Sequence, residues 1–168
     1  MVKDNKGFTL VELLVAVSIF AILSTIISGI YLSFSKSQAR TFISQSLLND
    51  AQYILETVAK EIKNNEIIIS NWGVDNIYKI QKENEDKYEF LYDDSLKKIN
   101  YGIVGGDKID LNDITDFKIS YFNMYLKENI NEQPRVTISL EVKNTTENEN
   151  EKVNYKLQTT VSSRIYKR

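Results

Sequence analysis

The sequence predicts an α+β protein: a long N-terminal helix, with a membrane half and an amphipathic half, packed on an antiparallel β-sheet head. Three observations predict it. Residues 8–34 are almost all apolar or small, with Glu12 as the one formal charge, and about 20 apolar residues span a bilayer as a helix. Residues 35–64 change to a polar surface carrying an apolar stripe at steps of three and four, which is the helical period. From Glu66 onward, short apolar or alternating runs are divided by Gly, Asn and Asp, as in half-buried strands joined by turns. The expected segments are a leader over 1–7, a transmembrane helix half over 8–34, an amphipathic half over 35–64 and a β-rich head over 65–168.

The leader comes first because it sets orientation and processing. Residues 1–7 are short and polar, basic at Lys3 and Lys6 with Asp4 opposing them, and they end in Gly7 directly before the apolar run. A secretory signal peptide has its small-residue cleavage site after the apolar region and loses that region. Here the small residue precedes it, so a cut between Gly7 and Phe8 keeps the helix and creates a new N-terminus. That ammonium lies about one helical turn from Glu12. A carboxylate at membrane depth costs about 3 kcal/mol unless it finds a partner, and an opposite charge is such a partner. The positive-inside tendency keeps the leader in the cytoplasm and exports the rest. Lys36 and Arg40 beyond the apolar run reduce that contrast, so the leader pattern carries more of the orientation than the charge count.

Gly7-Phe8-Thr9-Leu10-Val11-Glu12, with the basic leader before it and the apolar run after it, resembles the N-terminal signature of type IV pilins and type II secretion pseudopilins. The resemblance implies that a prepilin peptidase cuts between Gly7 and Phe8 and N-methylates Phe8. It also implies that Glu12 pairs with the N-terminal amine of a neighbouring subunit and sets register during assembly. The competing reading of the same residues is an ordinary signal anchor that holds a chance glutamate.

Within the apolar run, Ser18, Ser24, Thr25, Ser28 and Gly29 are small or hydroxylated. Such residues permit close helix approach in lipid or bond back to their own helix, and both readings stand. In the amphipathic half, Ile43, Leu47, Ala51, Ile54, Val58 and Ile62 form the stripe, with Leu48, Leu55 and Ala59 widening it. A coiled-coil partner is the alternative cover for this stripe. A glycine at position 29 costs up to about 1 kcal/mol in a helix interior.

The head reads as sequential strands. Residues 66–70 form a short apolar run, 77–82 and 87–92 flank the polar turn 83–86 as a hairpin, and 96–104 alternate loosely up to Gly105-Gly106. Over 114–126, period two places Phe117, Ile119, Tyr121, Asn123 and Tyr125 on one face. Val136, Ile138, Leu140 and Val142 alternate with polar neighbours, and Val153, Tyr155, Leu157, Thr159 and Val161 repeat the pattern after the polar turn 144–152. Short sequential strands favour an antiparallel meander with one face toward the helix. The Phe–Tyr strand, Pro134-Arg135-Val136, and Leu157-Gln158-Thr159-Thr160-Val161-Ser162-Ser163-Arg164 before a basic tail look like J-type pseudopilins and W-type minor pilins. That likeness implies a low-copy subunit that starts a filament or sits at its tip.

Composition narrows the chemistry. The 168 residues carry a net charge of −2, with no Cys and no His. No disulfide closes the head, common zinc sites lack their ligands, and Ser-His or Cys-His catalysis is unavailable. An enzyme is therefore not expected, and no cofactor is expected. The candidate exception is calcium at Asp107, Asp110, Asp113 and Asp116, which recur every third residue but do not match an EF-hand loop. Trp72, Tyr78, Tyr88, Tyr92 and Tyr101 with Lys79, Lys82, Lys97 and Lys98 offer an aromatic surface for carbohydrate or single-stranded DNA. Interspersed acidic residues weigh against nucleic acid, and tyrosines also suit half-buried strands. Asn144-Thr145-Thr146 fits a glycosylation acceptor.

The function expected is thus a minor pilin or pseudopilin that helps initiate or cap a type IV pilus or type II secretion-like filament. The expected partners are the prepilin peptidase, other pilins of the filament, the inner assembly platform and, before assembly, membrane lipid. The alternatives are a solitary membrane-anchored binding module and a DNA-uptake pseudopilin. The expected location is the cytoplasmic membrane with the head outside, then a filament or its tip.

Overall fold

The computed structural model describes residues 7–112, 117–129, 132–146 and 152–164. The leader residues 1–6, Asp113, Asp116 and the tail 165–168 lie outside them. Among the described residues one long helix, α1 (Leu10–Asn64), precedes eight strands: β1 (Glu66–Ile68), β2 (Ile77–Gln81), β3 (Lys87–Asp93), β4 (Lys98–Ile103), β5 (Lys108–Asp110), β6 (Phe117–Asn129), β7 (Glu132–Asn144) and β8 (Asn154–Ser162). The chain divides into two compact units, Met1–Ile43 and Ser44–Arg168. The α+β class and the long helix packed on antiparallel sheets are as expected, and the strands form two sheets rather than one meander.

In the first unit, every large apolar side chain from Phe8 to Phe34 is exposed. By length and composition α1 can cross a membrane, with a mean hydropathy of 2.6 in its most apolar window. Ser18 donates to the Leu14 carbonyl at 2.8 Å, Thr25 to Ala21 at 2.9 Å and Ser28 to Ser24 at 2.8 Å. These hydroxyls are satisfied within the helix, as lipid requires.

In the second unit, Leu47, Ala51, Ile54, Val58 and Ile62 are the buried stripe of α1, with Leu55 and Ala59 packed beside it. The five-stranded sheet runs β1-β2-β3-β4-β5 and the three-stranded sheet β6-β7-β8, and all neighbours are antiparallel. The first hairpin is where the sequence puts it, Ile77 facing Leu91 and Gln81 facing Lys87. β5 closes on β4 only because residue 102 is glycine, since a Cβ there would meet the Asp107 carbonyl at 2.2 Å. Lys108 then reaches across to the buried Glu89 at 2.7 Å.

The expected face of β6 is corrected. Ile119 pairs with Val142 and Tyr121 with Glu141, so Ser120 is an extra residue in a β-bulge, and parity reverses after it. Phe117, Ile119, Phe122 and Met124 face the core, whereas Tyr121 and Tyr125 face solvent. β7 and β8 keep strict alternation: Val136, Ile138, Leu140 and Val142 are buried opposite Val161, Thr159, Leu157 and Tyr155. Pro134, which has no N–H to give a ladder, precedes the first β8 pair and lies at an irregularity in the β6 register.

Aromatic side chains join the two sheets. Trp72 Nε1 donates to the Met124 carbonyl at 2.9 Å, Tyr92 Oη to the Ile119 carbonyl at 3.0 Å and Tyr78 Oη to Asn123 Oδ1 at 2.9 Å. Trp72 and Tyr92 thus supply to β6 carbonyls bonds that a neighbouring strand would otherwise make. Tyr78 and Tyr92 also flank Phe122 at 5.9 and 6.1 Å between ring centres. Near the end of α1, Glu61 accepts from Tyr101 at 2.6 Å and from Asn65 at 3.1 Å, with Lys82 at 3.7 Å and over the Tyr88 ring. Ser163 donates to the Asn65 carbonyl at 2.7 Å and Arg164 N–H to Lys63 at 2.9 Å, which ties the segment after β8 to the end of α1.

Burial, with Asp94 and Asp93 nearby, pushes the Tyr92 hydroxyl up to about 12, and burial with the bond to Glu61 raises Tyr101 further. An unfolded tyrosine ionises near 10. Above that pH the unfolded chain sheds protons that the folded head keeps, so stability falls through pH of about 10–12 and is fully present below. The melting temperature of the head should hold up to about pH 10 and then drop, less steeply in Tyr92→Phe. A flat profile, or an equal slope in the variant, contradicts this account of Tyr92.

Candidate processing and assembly site

The site is built from the first turn of α1. Thr9 precedes the first helical residue, where backbone N–H groups have no partner within the helix. Its Oγ1 accepts from the Glu12 N–H at 3.3 Å, and Glu12 Oε2 accepts from the Thr9 N–H at 3.0 Å and from Thr9 Oγ1 at 2.9 Å. The first helical bond, Leu13 N–H to the Thr9 carbonyl, is 3.2 Å. Thr-x-x-Glu ahead of an apolar run is a reciprocal capping box. The spacing was visible in the sequence, but there Glu12 reads first as an anomalous charge, and its local duty is easily missed.

Capping satisfies hydrogen bonds without neutralising the charge. All of these bonds to the carboxylate converge on Oε2; among the described residues nothing bonds Oε1, and no cation pairs with Glu12. The helix N-terminus itself favours a negative group, but only by about 1 kcal/mol or less at an exposed position, below the cost of a lone carboxylate in lipid. The side chains around it, Phe8, Leu10, Val11 and Leu13, are all exposed and apolar. A partner for the charge has to come from outside these residues.

Gly7 stands immediately before this turn. Among the described residues a Cβ there would meet nothing within 4 Å, so their packing does not require glycine at position 7. Phe8 is 82% exposed. The bond between Gly7 and Phe8 is therefore not buried by the described residues.

The other candidates disperse. Asp110 pairs with Lys98 and accepts from the Asn112 N–H at 3.0 Å, while Asp107 is exposed. Among the described residues no three acidic side chains converge on a metal position, and Asp113 and Asp116 lie outside the described residues. The proposed aromatic surface is corrected: Tyr78, Tyr92 and Tyr101 are 1%, 5% and 7% exposed, and Trp72 packs against the same core. Lys97 and Lys98 are held by Asp94 and Asp110, and Lys82 by Glu61. Asn144 ends β7, with Thr145 exposed beside it.

The family model for the prokaryotic N-terminal methylation motif matches residues 2–28, which cover the leader and the start of α1 and stop short of every strand. No curated protein and no solved structure matches the chain. The chain thus carries an N-terminal methylation motif at the head of α1, which by length and composition is a candidate membrane helix.

Thr9→Ala should remove the hydroxyl end of the capping box at a cost of about 1 kcal/mol. Amide exchange of the full chain in micelles should be faster at Glu12 and Leu13 and unchanged at Ile54 and Val58. Unchanged exchange at Glu12 would show that Thr9 does not hold the first turn.

Proposed function

We propose that this chain is a minor pilin or pseudopilin, a structural subunit that is cut by a prepilin peptidase between Gly7 and Phe8, N-methylated on Phe8 and built into a filament. The observation that carries it is Glu12: a capped carboxylate with, among the described residues, an open oxygen and no cation partner, inside a methylation-motif helix. In a bundle of such helices, the new ammonium of a neighbouring subunit is a cation of the right sign at the same depth. Pairing removes the cost of two lone charges in lipid and can be made only at one stagger between neighbours. Glu12 can use Oε1 for that pair while Oε2 keeps the cap.

The absence of packing at Gly7 among the described residues supports a glycine retained for an external demand, the narrow access a peptidase needs to the peptide bond. The exposed apolar surface of α1 from Phe8 to Phe34 suits lipid before assembly and neighbouring helices after it. The partners proposed are accordingly the peptidase, other pilins of the same filament and the inner assembly platform, with the leader in the cytoplasm and the head outside. The chain acts by assembly rather than catalysis. Initiating or capping a type IV pilus or type II secretion-like filament is the role favoured by the Pro134-led strand and by β8.

Two substitutions separate processing from assembly. Gly7→Val should leave the leader on, since only the peptidase meets the added side chain. Glu12→Ala should be cut normally, keep a folded head and enter filaments far less, by tenfold or more if about 1.4 kcal/mol of pairing is lost. Co-purification of each variant with sheared filaments measures this, and wild-type incorporation of the alanine variant would refute the role of Glu12.

A further inference from the structure

The outward face of the three-stranded sheet is a regular grid of polar side chains with two aromatic rings. Because of the bulge at Ser120, Tyr121 lies across from Glu141 and Lys156, Asn123 from Ser139 and Gln158, and Tyr125 from Thr137 and Thr160. Tyr121 and Tyr125 are 41% and 54% exposed. A trough of about 430 Å³ opens over this grid, lined by Tyr121, Ser139, Glu141, Lys156 and Gln158, with Leu140 and Leu157 between them.

The rings are held in place from the core. Buried Tyr78 donates to Asn123 Oδ1 at 2.9 Å, Asn123 Nδ2 donates to Tyr121 Oη at 3.3 Å, and the Tyr121 and Tyr125 hydroxyls share a bond of 2.7 Å. Thr137 and Thr160 bond each other at 3.0 Å. Surface tyrosines without a task have no need of such a chain, and fixing a ring before binding spares the entropy of ordering it later.

The chemistry of the lining selects the ligand. The outward positions of β6, β7 and β8 hold no aliphatic side chain, so the apolar centre that a protein interface relies on is missing. At one end of the face Glu141 is matched by Lys143 at 3.1 Å, Lys156 at 3.6 Å and Asn154 at 3.1 Å beside Lys118, and Lys127 and Arg135 stand at the other end, so the charges lie toward the ends of the grid rather than around Asn123, Ser139 and Gln158. What remains is a flat electron-rich ring beside amides and hydroxyls that both donate and accept. A pyranose has the complementary surface, with C–H groups on one face and hydroxyls around its rim. We infer that this face binds an oligosaccharide, stacked on Tyr121 and hydrogen-bonded by Asn123, Ser139 and Gln158. The inference rests on the head alone and does not depend on processing or assembly.

The test is isothermal titration of the full chain in lipid nanodiscs, free of glycosidic detergent. The probes are hexamers of β-1,4-linked glucose, β-1,4-linked N-acetylglucosamine, β-1,4-linked xylose and α-1,4-linked glucose. At least one should bind with a submillimolar Kd, and Tyr121→Ala should weaken it by about tenfold or more, as loss of a stacking platform does. Gln158→Ala, on the rim and remote from the core, should weaken the same sugar. Tyr121→Phe should retain most of the affinity, and Tyr53→Ala on α1 all of it. Binding of none of the four sugars overturns the inference, as does equal binding by Tyr121→Ala and Gln158→Ala. Loss of filament incorporation in Tyr121→Ala without sugar binding would assign the face to a neighbouring subunit instead.

Discussion

A single carboxylate in an uncharged apolar segment constrains this protein more than any other feature. Residues 8–34 can be lodged in lipid cheaply except at Glu12, and the described residues answer only half of that cost. Thr9 and Glu12 close the open end of the helix on each other, so the backbone donors of the first turn are satisfied without water. Among the described residues no cation balances the charge itself. A helix that was only an anchor would gain from replacing Glu12 by an apolar residue and capping with Thr9 alone. Retaining the charge makes sense where an opposite charge arrives with a neighbour.

The head solves a different problem, stability without disulfides. It uses aromatic side chains at the junction of the two sheets, where Trp72, Tyr78 and Tyr92 bond to β6. Those rings bury large apolar area and also carry one hydrogen-bonding group each, which Trp72 and Tyr92 give to β6 carbonyls and Tyr78 to the Asn123 side chain. The same arrangement connects core and surface, because Tyr78 holds Asn123 and Asn123 holds Tyr121. The bulge at Ser120 is the step that makes both possible. Phe122 and Met124 turn inward to meet the junction rings, and Tyr121 and Tyr125 turn outward.

Much of this was legible in the residue order. The stripe from Leu47 to Ile62 is helical by spacing alone, and the hairpin around residues 83–86 is marked by polar turn residues between alternating strands. β7 and β8 follow period two throughout. The failures have physical causes. Period two extrapolated through Ser120 puts Tyr121 inside, because an inserted residue leaves no mark in the alternation of the strand that carries it. Tyr78, Tyr92 and Tyr101 read as a binding surface because tyrosine is compatible with either side of a strand, and only the three-dimensional pairing shows their hydroxyls turned to Asn123, the Ile119 carbonyl and Glu61. The division into two sheets depends on which strands meet after Asn112, a long-range choice that local spacing does not encode. At the N-terminus the motif was plain, and the capping box within it was not.

The central claim is that residues 1–7 are a leader removed so that Phe8 becomes a charged, methylated N-terminus one turn from Glu12. The direct measurement is the mass of the N-terminal peptide from the full chain expressed with and without a prepilin peptidase. The account predicts a peptide that begins at Phe8 and is one methyl heavier, seen only when the peptidase is present. A peptide beginning at Met1 or Val2 in both samples would contradict it, and the helix would then be an uncut anchor.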